Sequence, residues 1–242
     1  MSIILAIETS TELASAALLI GDTLIFRESL GVQTHSESIL PMVQQLLAEA
    51  DLALARCDAL AFGVGPGSFT GVRTACGVVQ GLAFGADLPV APVVTLEAMA
   101  QGCLEATQAA DVLAVLDARM GEVYWAQYRH GSLGWESVVT PSLSAAREVQ
   151  VLGAVQACGN GLSAYADDFV AQAFFANGLA QLMPHARQIA TLGARAVAQQ
   201  RTLSAQEAQP LYLRNKVALT TAERQVRDVA KAASRPARQD AV

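Results

Sequence analysis

The side chains of this chain that could do chemistry sit in short strings, the first of them Glu8-Thr9-Ser10-Thr11 after the apolar run Ile3–Ile7. The second is Gly63-Val64-Gly65-Pro66-Gly67-Ser68-Phe69-Thr70-Gly71-Val72-Arg73, set between apolar Ala59–Phe62 and a run with helical spacing from Thr70 to Phe84. A tight loop that launches a helix exposes N–H groups that attract anions or carbonyls. Gly63, Gly65 and Gly67 add positive-φ freedom and room for another backbone to approach. Phosphate is one such anion, so Gly65, Gly67 and Ser68 are candidate phosphate contacts. The loop nevertheless lacks the Lys of a P-loop and the spacing of a dinucleotide fingerprint, and a plain glycine-rich β-to-α turn explains the same residues.

Asp117, Arg119 and Glu122 form a third group, at the end of the apolar run Val112–Leu116. They could bind a substrate or a metal, while Asp and Arg two apart with Gly121 following favour a salt-bridged turn. The three histidines, His35, His130 and His185, lie far apart, and Cys57, Cys76, Cys103 and Cys158 include no Cys-x-x-Cys pair. A zinc knuckle and a dense disulfide scaffold are therefore disfavoured. No Ser-His-Asp or Cys-His set stands out.

These groups need a scaffold, and the hydrophobic pattern supplies one. Ile3–Glu8, Leu13–Ile20 and Thr23–Ser29 read as a three-strand antiparallel meander with a turn at Gly21-Asp22. Thr34 and Glu37 are spaced as a capping box for a helix whose buried face carries Ile39, Val43, Leu46, Leu47 and Ala50. Pro41 should kink or tighten its first turns, and Leu40 and Met42 lie off the buried face. A strand at Ala59–Phe62, the glycine loop, a second helix and a strand at Val90–Val94 complete a βββαβαβ unit, an α/β lobe with a mixed sheet.

The pattern restarts after residue 106 with strands at Val112–Leu116, Glu122–Tyr128 and Trp135–Val139. Helices are expected around Ser142–Gln150 and Leu192–Arg201, with a strand-to-turn switch at Ala157–Gly161 between them. The second helix of the first unit carries Gly77 and Gly81 one turn apart, and Gly85 reads as its C-terminal cap before Pro89. An interior helical glycine costs roughly 1 kcal/mol relative to alanine, so two imply a close approach by another helix, from this chain or from a partner.

The charge is split along the chain. Residues 1–213 carry net −10 and residues 214–242 net +4, giving −6 for all 242 residues. An acidic body is a poor stand-alone binder of nucleic acid, and the basic tail, with Arg224, Arg227, Lys231, Arg235 and Arg238, has no aromatic for base stacking. No apolar run approaches membrane-spanning length, and Ile3–Ile7 is too short for a signal-peptide core and has no basic flank. The expected compartment is the cytoplasm.

Taken in order, Ile7-Glu8-Thr9-Ser10, His35-Ser36-Glu37, Gly65–Arg73, Asp117-Ala118-Arg119 with Glu122-Val123-Tyr124, and Pro210-x-Tyr212-Leu213-Arg214 resemble the bacterial TsaB (YeaZ) family. The resemblance covers residues 1–218, and its specificity lies in the order and spacing of motifs that are individually weak. It implies a two-lobe actin-like, Hsp70-like (ASKHA) fold, each lobe a mixed sheet flanked by helices. The expected division is 1–105 and 106–190 for the lobes, 191–213 for a helix and strand-like segment packing back near the lobe junction, and 214–242 for a flexible basic tail. The implied role is that of a non-catalytic subunit in making threonylcarbamoyladenosine beside the anticodon of tRNAs that read codons beginning with adenine.

The implied partners are the catalytic paralogue TsaD and the ATPase TsaE, with a homodimer when the chain is alone and tRNA engaged only through the assembly. The interface is expected on the two helices of the first lobe, at Leu40, Met42, Val43, Leu46, Arg73, Gly77 and Gly81. The metal-binding His-x-x-x-His positions of the paralogue fall on Thr95 and Met99, so no metal is expected. Actin-like ATPases open with an Asp and a nearby glycine where this chain has Glu8-Thr9-Ser10-Thr11, so the resemblance makes Glu8, Thr9, Ser10 and Thr11, with Gly65, Gly67 and Ser68, the candidate nucleotide or phosphate contacts, a polar hairpin turn being the plainer reading. Gly159-Asn160-Gly161 takes the place of an adenosine-contacting turn or is a plain turn. No cofactor is assigned to the chain itself; ATP or ADP with Mg2+ belongs, on this reading, to the interface of the assembly. The alternative is an independently active actin-like ATPase or phosphotransferase.

Overall fold

The computed structural model describes residues 2–30 and 35–214. Thr34 of the capping box and the basic segment beyond Arg214 lie outside the described residues. The chain begins with β1 (Ile3–Glu8), β2 (Leu13–Ile20) and β3 (Thr23–Leu30), followed by α1 (His35–Glu49), β4 (Ala59–Gly63), α2 (Phe69–Ala86) and β5 (Val90–Val93). These strands form one sheet in the order β3-β2-β1-β4-β5, antiparallel in the meander and parallel from β1 to β4 to β5.

Apart from its edge strand β3, this sheet is buried on both faces, and its period-2 alternation sends successive residues to opposite sides. Leu5, Ile7, Leu60 and Phe62 point to the side covered by α1 and α2. Ile4, Ala6, Ala59, Ala61 and Ala91 point to the other side. There the late helix α6 (Ala186–Ala198) lies across β1, β2, β4 and β5. The small residues let it come close: a Cβ on Gly193 would sit 2.6 Å from the Ala61 Cβ. His185 caps α6, its Nδ1 accepting the Arg187 N–H at 3.0 Å.

The chain then leaves the first sheet through α3 (Thr95–Thr107) and builds β6 (Asp111–Arg119), β7 (Glu122–Gly131), β8 (Gly134–Ala145) and β9 (Gln156–Cys158). Their order is β8-β7-β6-β9, again an antiparallel meander with a parallel strand beside its first member. One face packs on α3 through Leu96, Met99 and Cys103. The other packs on Leu162, Phe169 and Phe174 of the segment after β9, which contains the single-turn helices α4 (Gly161–Ala164) and α5 (Ala166–Phe169).

Several expectations are corrected. The stretch Ser142–Gln150 is not a helix: β8 continues to Ala145, pairing Ser142 with Trp125 and Leu143 with Tyr124, and only Ala146–Glu148 forms a 3-10 turn. Cross-strand pairing overrides the helix-favouring alanines there. The helix expected at Leu192–Arg201 begins at Ala186 and ends at Ala198. Gly85 is not the cap of α2; the helix runs to Ala86 and the left-handed residue is Asp87, at φ 53°.

Candidate functional site

The turn after β1 and the glycine loop after β4 interlock. Ser68 N–H donates to the Ser10 carbonyl at 2.6 Å, and the Thr9 hydroxyl donates to the Gly71 carbonyl at 2.7 Å. A Cβ on Gly67 would lie 2.5 Å from Ser10 O, and one on Gly71 would fall inside the Thr9 carbonyl. Of the three loop glycines, Gly67 admits the backbone of the chain's own first hairpin, Gly65, at φ 101°, faces the Leu211 carbonyl, and Gly63 faces the Glu8 side chain. The Ser68 hydroxyl accepts the Gly71 N–H at 3.3 Å and so caps α2.

Glu8 lies under this junction with no exposed surface. Its Oε1 accepts the Ser10 N–H at 2.5 Å, and its Oε2 accepts the Thr95 hydroxyl at 3.3 Å. Thr95 Oγ1 in turn accepts the Gly65 N–H at 3.2 Å. A Cβ on Gly63 would collide with the Glu8 carboxylate, so the sequence pairs its buried acid with a residue that leaves it space. Burial raises the Glu8 pKa, opposed by the hydrogen bonds from Ser10 and Thr95.

Above the junction, a cleft of about 390 Å3 separates the two sheets. Ser10, Thr11, Gly67 and Ser68 line it; Glu8, Thr9 and Gly65 do not. The facing wall is the end of β6 with Asn160, whose Oδ1 accepts the Asp117 N–H at 2.9 Å. Asp117 accepts from Arg119 N–H at 2.7 Å and Tyr165 OH at 2.9 Å, and pairs with the Arg119 guanidinium at 3.0 Å. Asp117 and Arg119 thus make the salt-bridged turn, while Glu122 pairs instead with Arg214 at 2.6 Å.

The segment Leu211–Arg214 straps the cleft to both lobes. Leu211 N–H donates to Val64 O at 2.7 Å, and Arg214 also donates to Ala118 O at 3.0 Å on the far side. Between them, the Tyr212 hydroxyl accepts Arg73 Nε–H at 2.7 Å. The sequence marks this string as a motif without giving it a task, because its partners lie about 90 to 150 residues away in the chain.

Mg2+-nucleotide chemistry finds little to use here. Glu8 is sealed below the cleft and Asp117 is tied to Arg119 and Tyr165, so these two carboxylates do not fit a metal-phosphate site. Glu12, exposed in the first hairpin turn, also lines the cleft. Thr95 and Met99 are fully buried in α3, and among the described residues no three His, Cys, Asp or Glu side chains are grouped to hold a metal.

Outside the cleft, α1 and α2 lie side by side on the first sheet. Met42, Val43 and Leu46, expected at an interface, are buried in the core instead, whereas Leu40 remains 43% exposed. They follow Ile39 at helical spacing, so they belong to one inward face. Gly77, Gly81 and Gly85 are exposed along α2, and a Cβ on any of them would meet nothing within 4 Å. They do not serve close packing of α1 on α2. Arg73 stands one turn before Gly77 and Phe84, 72% exposed, stands beyond Gly81.

A family model described as "TsaD: tRNA N6-adenosine threonylcarbamoyltransferase" matches residues 29–234. The tRNA threonylcarbamoyladenosine biosynthesis protein TsaB of Escherichia coli K12 is 41% identical over 221 residues, which span 89% of this chain and 96% of that protein. This chain belongs to the TsaB (YeaZ) family. The TsaB protein of Haemophilus influenzae is 40% identical over 88% of this chain and 94% of that protein. YeaZ from Pseudomonas aeruginosa superposes with a TM-score of 0.82 at 38% identity, covering 88% of this chain and all of that one. The two mixed sheets flanked by helices are the two-lobe ASKHA fold expected of a TsaB chain. Among the described residues, no helix is long and apolar enough to cross a membrane.

Proposed function

We propose that this chain acts in threonylcarbamoyladenosine formation on tRNA as a non-catalytic subunit, docking its first lobe onto a TsaD-type catalytic paralogue that works with TsaE. The observation that carries this reading is the α2 face, where three glycines in successive turns stand exposed over open space. Interior helical glycines cost roughly 1 kcal/mol each, and nothing within the fold uses the space they leave. A helix from another protein would. The retained interface residues are Leu40, Arg73, Gly77 and Gly81; Met42, Val43 and Leu46 support the helix from beneath. The TsaB names of the full-length relatives support the pathway, and the sealed Glu8 supports a helper rather than an independent ATPase.

Reconstituted threonylcarbamoyl transfer tests the reading, with TsaD, TsaE, a threonylcarbamoyl-adenylate supply and tRNA, with and without this chain. Activity should require the chain, and the chain alone should neither transfer the group nor turn over ATP. Gly77→Leu should abolish co-elution with TsaD while leaving the circular dichroism spectrum unchanged. Wild-type co-elution of that variant would remove the docking face.

A further inference from the structure

Arg73 is the cation at one end of the exposed α2 face, and it is held in place before any partner arrives. Its guanidinium carbon lies 3.8 Å from the centroid of the Phe69 ring, and its Nε–H is fixed on the Tyr212 hydroxyl at 2.7 Å. The two rings brace each other at 5.7 Å between centroids. Among the described residues, the two terminal amino groups of Arg73 take no hydrogen bond and no ion pair. By contrast, Arg27, Arg119, Arg129 and Arg214 are all paired with carboxylates.

An exposed Arg so arranged has lost its rotamer freedom already, so binding through it loses less. Its remaining donors form a planar fork whose geometry matches a carboxylate. Phe69 and Tyr212, 40% and 43% exposed, frame it with the aromatic surface that dominates interface anchors. One helical turn on, Gly77 leaves open space over the helix, where a helix could approach closely.

We infer that Phe69, Arg73 and Tyr212 form the polar anchor of the docking face, receiving an Asp or Glu side chain from the TsaD-type partner's packed helix. This rests on the docking reading above and adds the chemistry that selects the partner. A protein carboxylate is favoured over an RNA phosphate because residues 1–213 carry net −10, which repels a phosphate backbone, and because Arg73 stands one turn from the open helix face at Gly77. The hydroxyl of Tyr212 positions the fork; it does not itself meet the partner carboxylate.

The test is titration calorimetry of the full chain against purified TsaD at low and high salt. Arg73→Ala should weaken binding about 10- to 100-fold and flatten its salt dependence, as expected for losing a charge-assisted pair at an interface. Arg73→Lys should recover only part of the loss, since it keeps the charge without the fork. Tyr212→Phe should weaken binding less than Arg73→Ala while preserving the salt dependence. Thermal unfolding of each variant confirms that the lobe is intact. If Gly77→Leu abolishes binding while Arg73→Ala leaves affinity and salt dependence unchanged, the anchor is wrong and the docking face stands. If neither variant affects binding, the docking reading falls and the anchor falls with it. Loss of tRNA retention by Arg73→Ala with TsaD affinity intact would overturn the carboxylate assignment in favour of RNA.

Discussion

Alanine placed at two glycines of the same helix should have opposite effects. In α2, Gly71 presses on the first hairpin, and a Cβ there would enter the Thr9 carbonyl oxygen and lie 3.0 Å from its carbon. Relieving that overlap requires the helix start to move on the order of 1 Å, given ordinary contact distances. Such a shift strains the Thr9-to-Gly71 and Ser68-to-Ser10 hydrogen bonds, at 2.7 and 2.6 Å. A buried polar group left without its partner costs about 1–3 kcal/mol, and alanine returns roughly 1 kcal/mol of helix propensity. With both bonds strained, Gly71→Ala should therefore destabilise the protein by about 1–5 kcal/mol. Gly77→Ala meets open space and should stabilise it by about 0.5–1 kcal/mol. Urea denaturation of the two variants beside wild type measures both signs. A Gly71→Ala protein within about 0.5 kcal/mol of wild type would refute the claim that the hairpin and the glycine loop are locked together.

Glu8→Gln should shift the pH dependence of stability. Because burial raises the folded-state pKa of Glu8, wild type keeps its full stability below the ordinary carboxylate range and loses some as pH rises through the folded value. The glutamine variant should lack that loss, so its advantage in urea titrations should grow from acidic to neutral pH; a constant gap would contradict a raised pKa. The same variant should support threonylcarbamoyl transfer in the reconstituted system as wild type does, and an inactive but folded Glu8→Gln would count for chemistry at the first hairpin. Arg214→Ala removes the contacts to Glu122 and Ala118 and should cost about 1 kcal/mol, the pair being partly exposed. Hydrogen exchange should report it as faster exchange at the Leu211 amide, and unchanged protection there would show that the strap is held without Arg214.

What the sequence made legible was local. The βββαβαβ order follows from alternating runs and punctuating turns, and the structure has it. On β1 and β4 alternate positions put Leu5, Ile7, Leu60 and Phe62 on one side and Ile4, Ala6, Ala59 and Ala61 on the other. Met42 was misplaced because Pro41 and Leu40 beside it face outward, although its spacing from Ile39 and Leu46 puts it on the inward stripe. The non-local facts were out of reach. That Gly63 leaves space for Glu8, that Gly71 meets Thr9, and that Tyr212 holds Arg73 depend on segments brought together by folding across 55, 62 and 139 positions. The helix expected at Ser142–Gln150 failed for the same reason, since its strand partner β7 decides it.

The strap is held at four successive residues. Leu211 packs into the core of the first lobe and Leu213 into that of the second, while Tyr212 and Arg214 between and after them hold Arg73 and Glu122. Moving the segment by one residue would take both leucines out of their cores and break both polar contacts at once. The strap therefore ties the two lobes to one register, and through Tyr212 it ties the orientation of the Arg73 fork on the outer helix to that same register.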